Sequence, residues 1–369
     1  MGAGACGLAS AAELGRRGLN ALVLERDEAV ASSWARRYDT LRLNTMRPMS
    51  TLAGYRMPRR YGMYPSRDDV VEYLREYARR HELDIRFGTV VERVDRGDGG
   101  WRLSVAGGDA VEARIAVVAT GYDVVPKMPS WPGEETFTGE LIHAREYRGA
   151  GPFAGRGVLV VGAGNTGTEI AHHLLAGGAA EVKVSMRTPP NMFPRRWLGM
   201  DLNPSALLLE RLGRAGDRMG QMSQRMIYGD LSRYGLPRAP VGPVTNIARG
   251  VAPAIDDGFV DDLKRGDVEL VPVIERFDGD EVVLDGGRRL RPDVVIAATG
   301  YARGLEPIVG HLGVLREDGH PIVRDGGPVP GHPGLHFVGY FPAFSGQLRQ
   351  ARIQARRLGR SVKRARAAA

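Results

Sequence analysis

The stretch Val158-Leu-Val-Val-Gly162-Ala-Gly164-Asn-Thr-Gly167 decides the fold. Its aliphatic residues read as a buried strand, and its glycines as the turn into a helix. In a GxGxxG turn the first glycine permits the tight bend, the second lets backbone approach a pyrophosphate, and the third lets helix and strand pack closely. Free N–H groups and about half a positive charge at the helix N-terminus attract phosphate. A second copy, Gly2-Ala-Gly4-Ala-Cys-Gly7, lies near the start. Each copy is followed by helical periodicity and then by a new apolar run. The run after the first copy, Ala21-Leu-Val-Leu, ends on Glu25, and the run after the second, Val182-Lys-Val-Ser-Met, ends on Arg187. A carboxylate there accepts hydrogen bonds from ribose hydroxyls, whereas an arginine pairs with a 2′-phosphate. Two nucleotide sites of different preference imply electron transfer between two cofactors.

The first copy lacks the apolar strand that should feed it, because Met1 already lies inside the turn. Four or five buried aliphatic side chains are missing, each contributing roughly 1.5–3 kcal/mol. Their sum is comparable with a whole domain's stability of about 5–15 kcal/mol. A start upstream of Met1 is therefore the expectation.

The 369 residues suffice for two or three domains, with hydrophobic content of 43% and charged content of 25%, ordinary for a soluble globular chain. No run of 18 apolar residues and no secretory signal is visible, so a cytoplasmic protein without a membrane span is expected. The one cysteine, Cys6, excludes an internal disulfide and a CxxC redox pair, and reads as a packing residue. The net charge of +8 is concentrated in the tail: residues 345–369 carry eight arginines and lysines, from Arg349 to Arg366, and no acid. Such a tail reads as a solvated helix end, or as a weak contact for an anionic membrane surface. No aromatic residue interleaves it, so no nucleic acid partner is expected.

Strand and helix patterns alternate along much of the chain. Helices are expected over 5–18 and from Ser66 as N-cap to about His81. Strands are expected at 21–25, 85–94, 101–105 and 111–118, then at 268–273, 281–284 and 290–297, and finally at Leu335-His-Phe-Val338 before a helix from about Gly346. Asp256 is read as the start of a further helical piece. Residues 190–250 interrupt the alternation with a helical insert, in which Met219, Met222 and Met226 fall at helical spacing. A methionine stripe is read first as core, and second as an adaptable substrate wall or lid. Two strands end alike, at Ala119-Thr120-Gly121-Tyr122 and Ala298-Thr299-Gly300-Tyr301. Glycine there lets backbone pass close to a cofactor, and threonine offers a hydroxyl.

Between the two units lies Phe137-Thr-Gly139-Glu-Leu-Ile-His143-Ala-Arg-Glu-Tyr147-Arg148. It resembles the FxGxxxHxxx(Y/F) signature of the flavin-containing monooxygenases, class B flavoprotein monooxygenases. Ser33-Trp34, Tyr38-Asp-Thr-Leu-Arg-Leu-Asn44-Thr45, Tyr64-Pro-Ser and Asp293-Val-Val-Ile-Ala-Ala-Thr-Gly-Tyr301 extend the resemblance over nearly the whole chain, closest to the YUCCA-like branch. Sister Baeyer–Villiger enzymes end the signature with Trp followed by Pro or Asp, where this chain has Tyr147-Arg148.

The resemblance implies an α/β fold of two Rossmann-like dinucleotide-binding domains, the NADPH domain inserted into the FAD domain. The expected division is an FAD-binding part over 1–150, an NADPH-binding domain over 151–300 and the rest of the FAD domain over 301–369. FAD contacts would fall on Gly2, Gly4, Gly7, Glu25, Trp34, Thr120 and Gly121, with Gly346, Gln347 and Leu348 approaching the flavin. NADPH contacts would fall on Gly162, Gly164, Asn165, Thr166, Gly167, Ser185 and Arg187, with Thr299 and Gly300 at the second strand end. Arg195 and Arg196 are further candidates for the 2′-phosphate. Asn44 matches an active-site asparagine of the family. The implied activity is NADPH- and O2-dependent oxygenation of a small molecule through a C4a-hydroperoxyflavin, first at N or S. The alternatives are Baeyer–Villiger or decarboxylating attack on a ketone or 2-oxo acid, an NADPH oxidase, and a non-enzymatic protein.

His143 reads as structural rather than catalytic. His172 and His173 are adjacent on one helix and diverge, and His332 and His336 flank Pro333-Gly334. With no HExxH and no cysteine cluster, no metal is expected.

Overall fold

The computed structural model describes residues 1–368. The side chains of residues 203, 204 and 366–368, Arg366 of the basic tail among them, lie outside the described residues. The chain divides into two compact units. One comprises residues 1–37, 41–125 and 301–369, and the other residues 38–40 and 126–300. Glu140–His143 belongs to the second unit's sheet, beside Val294–Ala297.

That sheet has five parallel strands. Gly157–Val161 is central, flanked on one side by Glu181–Ser185 and then Val268–Val271, and on the other by Val294–Ala297 and then Glu140–His143. The central Gly157–Val161 and its neighbour Val294–Ala297 are near-continuous aliphatic runs, as strands buried on both faces are. Leu159, Val160, Val184, Val294, Val295 and Ile296 are all fully buried. The helix Asn165–Ala176 follows the central strand directly.

In the first unit, Leu22–Leu24 pairs in parallel with Asp84–Arg86, and Ala116–Val118 with His332–Phe337. Residues 1 and 2 bridge the two ladders. Gly2 N donates to Leu24 O (2.8 Å), the Met1 amine donates to Val117 O (2.9 Å), and Ala119 N donates to Met1 O (3.1 Å). The C-terminal helix Gln347–Ala368 packs along the first helix, Ala5–Gly15, and its Leu348, Ala351 and Ala355 share a core with Leu8 and Ala12.

Two expected strands are broken. The 85–94 run divides into Asp84–Arg86 and Val91–Gly97, because Gly88 turns the chain at φ +60° into a separate antiparallel sheet. The 111–118 run divides into Val111–Ala113, which stays on that sheet, and Ala116–Val118, which pairs with His332–Phe337. Asp256 ends the strand Ala254–Asp256 and accepts from Gly258 N and Val260 N at 3.2 and 3.1 Å, so the helix begins only at Phe259. No described helix is long and apolar enough to cross a membrane.

The helix Arg67–Arg80 carries a full capping box: Ser66 Oγ accepts from Asp69 N, and the Asp69 carboxylate accepts from Ser66 N (2.8 Å). Ser66→Ala should cost about 1 kcal/mol, read by chemical denaturation of the wild type and the variant. Five histidines (His81, His143, His173, His320 and His336) are held below their ordinary 6.5, burial being the largest cause in each. The unfolded chain therefore binds more protons than the folded one beneath pH 6.5. Stability should be full above that value and fall as the pH drops through the lowered folded values, a trend that melting temperatures across pH 5–7.5 would follow.

Candidate cofactor-binding site

The two glycine turns are built alike. A Cβ on Gly7 would sit 1.8 Å from Gly2 O, and one on Gly167 would sit 1.8 Å from Gly162 O. Gly2 (φ +97°) and Gly162 (φ +109°) adopt backbone that side chains avoid, and a Cβ on either would meet the carbonyl of Ala119 or Ala298 at 2.6 Å. The Ala119 and Ala298 methyl groups of the two Ala-Thr-Gly strand ends face Gly7 and Gly167, 3.8 and 3.3 Å from where a Cβ on either would stand.

Gly4 and Gly164 behave differently: nothing lies within 4 Å of a Cβ built on either. Each is the N-cap of its helix, with no side-chain cap and no acid in the first turn. The contrast is with Ser66, which caps its own helix. Two helices thus present unsatisfied N–H groups and the positive end of a dipole to open space, the setting that a pyrophosphate fits. The donor chemistry and the room beside Gly4 and Gly164 both suit a dinucleotide.

Around the first turn, the buried Glu25 carboxylate accepts from Ala3 N and from Asp27 N (3.0 Å). Ala31, in left-handed conformation at φ +63°, donates to Ala3 O (3.2 Å) and starts the short helix that holds the half-buried Trp34 against the core. Thr120 N and Oγ1 lie 3.1 and 2.8 Å from the Tyr340 hydroxyl. Tyr340 is buried, which raises its pKa, and its position beyond the His332–Phe337 strand was its only sequence signal. Gly121 (φ +94°) is open to space. The Cys6 thiol packs against Gly339, and burial pushes it up to about 12.

A second group gathers at the C-terminal helix. Leu43 N donates to Pro65 O (2.9 Å) and Thr45 Oγ1 lies 2.8 Å from Ser50 Oγ, which shapes the loop carrying Asn44. A Cβ on Gly346 would meet Thr45 at 2.7 Å. Thr45, next to Asn44 in sequence, therefore lies against the start of the helix Gln347–Ala368, some 300 positions away in the chain. Gln347 Nε2 donates to Phe341 O (3.0 Å), and Leu348 is buried in the core.

In the second unit, Asn165 fastens a neighbouring segment: its amide donates to Pro253 O and accepts from Ile255 N, both at 2.8 Å. Thr166 is half-buried in the helix's first turn. Ser185 is buried, and its hydroxyl donates to Pro272 O (2.9 Å). Arg187 is exposed and has no ion pair among the described residues. Arg195 is committed elsewhere, to Asp257 (2.5 Å) and Glu169 (3.8 Å), while Arg196 faces Asp201 at 3.5 Å. Glu169 also accepts from Tyr38, so residues 38–40 are fastened to the helix Asn165–Ala176, with Thr40 Oγ1 at 2.8 Å from His173 Nδ1. The Thr299 hydroxyl donates to Lys127 O, and Lys127 N donates to Gly300 O (3.0 Å).

His143 joins this strand end from the other side. Arg145 N donates to its Nδ1 (3.0 Å), so Nε2 carries the proton and donates to Gly300 O (3.2 Å). Burial lowers its pKa, and the ring is a neutral strut between the signature and Ala-Thr-Gly. No group of three or more His, Cys, Asp or Glu capable of holding a metal occurs among the described residues.

Residues 1–208 match the family described as pyridine nucleotide-disulphide oxidoreductase. The chain is 34% identical over 354 residues to the indole-3-pyruvate monooxygenase YUCCA1 of Oryza sativa subsp. japonica, covering 92% of this chain and 85% of that protein. The chain belongs to the flavin-containing monooxygenases, on their YUCCA-like branch. The YUCCA6 indole-3-pyruvate monooxygenase of Arabidopsis thaliana is 34% identical, covering 92% and 84%. The fold is that of the flavin-containing monooxygenase from Stenotrophomonas maltophilia, at a TM-score of 0.75 and 23% identity over 99% of this chain and 97% of that one. The protein is accordingly an FAD-dependent, NADPH-using monooxygenase. When bound, the flavin supplies hydride acceptance from NADPH and activation of O2, while the chain supplies position, charge and exclusion of water.

Two alanine substitutions separate cradle from scaffold. Gly4→Ala has room for its methyl group and ordinary backbone, so the melting temperature of the flavin-free protein should stay within about 2 °C, while flavin content falls at least tenfold. Gly7→Ala collides with backbone, so the flavin-free protein itself should melt lower. Absorbance at 450 nm after reconstitution and thermal denaturation read the two effects.

Proposed function

We propose that this monooxygenase acts on a 2-oxo acid, oxygenating its carbonyl carbon with loss of the carboxyl group. The supporting observation is that relatives 34% identical across 92% of the chain are named indole-3-pyruvate monooxygenases. The step balances: a 2-oxo acid, O2, NADPH and a proton give the acid one carbon shorter, CO2, water and NADP⁺. This is the carbonyl-directed alternative of the sequence reading; oxygenation at N or S is the competing outcome.

In this reading FAD lies in the cradle of Gly2, Gly4 and Gly7, with Glu25 toward its ribose. NADPH lies in the cradle of Gly162, Gly164 and Gly167. Arg187 is the group for the 2′-phosphate, because it is exposed and uncommitted where Arg195 is neutralised by Asp257. A bidentate arginine–phosphate contact contributes roughly 1.5–3 kcal/mol, a preference of about tenfold or more for NADPH over NADH. Asn44, adjacent in sequence to the Thr45 that meets Gly346, would offer a neutral donor and acceptor to the reacting end of the flavin.

NADPH consumption, peroxide release and CO2 release, measured with indole-3-pyruvate, an aliphatic 2-oxo acid, a tertiary amine and a thioether, test the reading. Coupled turnover with CO2 release should appear with the 2-oxo acids. Coupled N- or S-oxide formation without it would replace the proposal. Arg187→Ala should lower kcat/KM for NADPH about tenfold or more and leave NADH nearly unchanged; equal losses would remove Arg187 from the phosphate role. Asn44→Ala should keep flavin content while shifting NADPH consumption toward peroxide.

A further inference from the structure

The methionine stripe of the 190–250 insert does not lie in the core. The helices Asn203–Arg211 and Arg214–Tyr228 pack together, and the second also packs on Pro243–Ala248. The inward seam of Arg214–Tyr228 is glycine. A Cβ on Gly216 would meet Leu209 O at 2.1 Å, and one on Gly220 would meet Pro243 at 2.6 Å. The methionines lie on the solvent-exposed side of the helix: Met222 is 69% and Met226 is 64% exposed, with Met219 at 40%, and Leu208 and Leu212 are exposed on the preceding turns.

Arginines flank this apolar face. Arg211, Arg214, Arg218 and Arg225 are exposed and form no ion pair among the described residues. The two helices carry only two acids, Glu210 and Asp217. Asp217 is spent as the cap of the next helix, accepting from Val244 N (2.7 Å) and Thr245 N (3.0 Å).

A second apolar element precedes them. Arg196–Trp197 pairs with Met200–Asp201 as a hairpin whose two turn residues, Leu198 (φ +48°) and Gly199 (φ +77°), both have positive φ. That turn favours Asn-Gly. Here a leucine holds the left-handed position while 76% exposed, next to Met200 at 60%. The chain thus accepts backbone strain to display an apolar tip.

From the exposed methionine face, its unpaired arginines and the strained leucine tip, we propose that the 190–250 insert docks on an anionic phospholipid surface. Apolar side chains enter the headgroup boundary, and arginine stems reach along it to leave guanidinium groups among lipid phosphates. A second copy is disfavoured, because a self-paired patch would set arginine against arginine. The expected partner of the basic tail becomes the partner of the insert.

The test is flotation of the FAD-loaded full chain with vesicles of phosphatidylcholine, alone or mixed with phosphatidylglycerol. Binding should require the anionic lipid and weaken with salt. Arg214→Gln with Arg218→Gln should lower partitioning on the order of tenfold, and Met222→Glu with Met226→Glu should abolish it. Leu198→Asn guards against a folding artefact: it relieves the turn, so melting temperature should hold or rise while lipid binding falls. Loss of binding with Arg360→Gln, Lys363→Gln and Arg364→Gln instead would assign the contact to the tail and overturn the proposal. So would a monomer that ignores both vesicles, or a dimer that Met222→Glu dissociates.

Discussion

Two backbone carbonyls set the terms for this molecule. Gly2 O and Gly162 O each lie where a side chain on the third glycine of its turn would have to go, 1.8 Å from the Cβ that Gly7 or Gly167 lacks. Helix and strand meet backbone to backbone there, and the small methyl groups of Ala119 and Ala298 lie against Gly7 and Gly167. The helix N-termini then come to rest uncapped beside open space at Gly4 and Gly164. What makes room there is what is missing: no Cβ, no capping side chain and no acid in the first turn.

The same constraint explains what was legible in the sequence. The glycine spacing, both Ala-Thr-Gly strand ends and the Ser66 cap could be read because each is a local rule with a steric or hydrogen-bonding cause. Strand breaks were not, since Gly88 and residues 114–115 divide runs whose alternation looks continuous until their pairing partners are known. The methionine stripe shows the limit of periodicity. A period of 3.6 tells which residues share a face, not which face turns inward. Here Gly216 and Gly220 mark the side of the helix that meets its neighbours, and both were in the sequence.

The site residues divide in the same way. Backbone-determined positions could be placed from spacing. Side-chain commitments could not, because they depend on partners far along the chain. Asn165 is tied to residues 253–255, Ser185 to Pro272, Arg195 to Asp257 and Thr120 to Tyr340. Among the three arginines weighed for the phosphate, only long-range contacts distinguish an exposed Arg187 from a neutralised Arg195. The histidine of the signature likewise reaches a partner 157 residues away, Gly300, which its neighbours in sequence do not reveal.

The division of the chain also orders its birth. Apart from residues 38–40, everything in the second unit is contiguous, and its last strand has emerged by Ala297. The first unit must wait: its Ala116–Val118 ladder needs His332–Phe337, and Leu14 is covered by Leu358 and Val362. Contacts spanning more than three hundred residues close slowly. During translation the second nucleotide cradle can therefore condense while the first remains open on the ribosome, its aliphatic helix Ala5–Gly15 exposed to chaperones until the final turns of the polypeptide arrive.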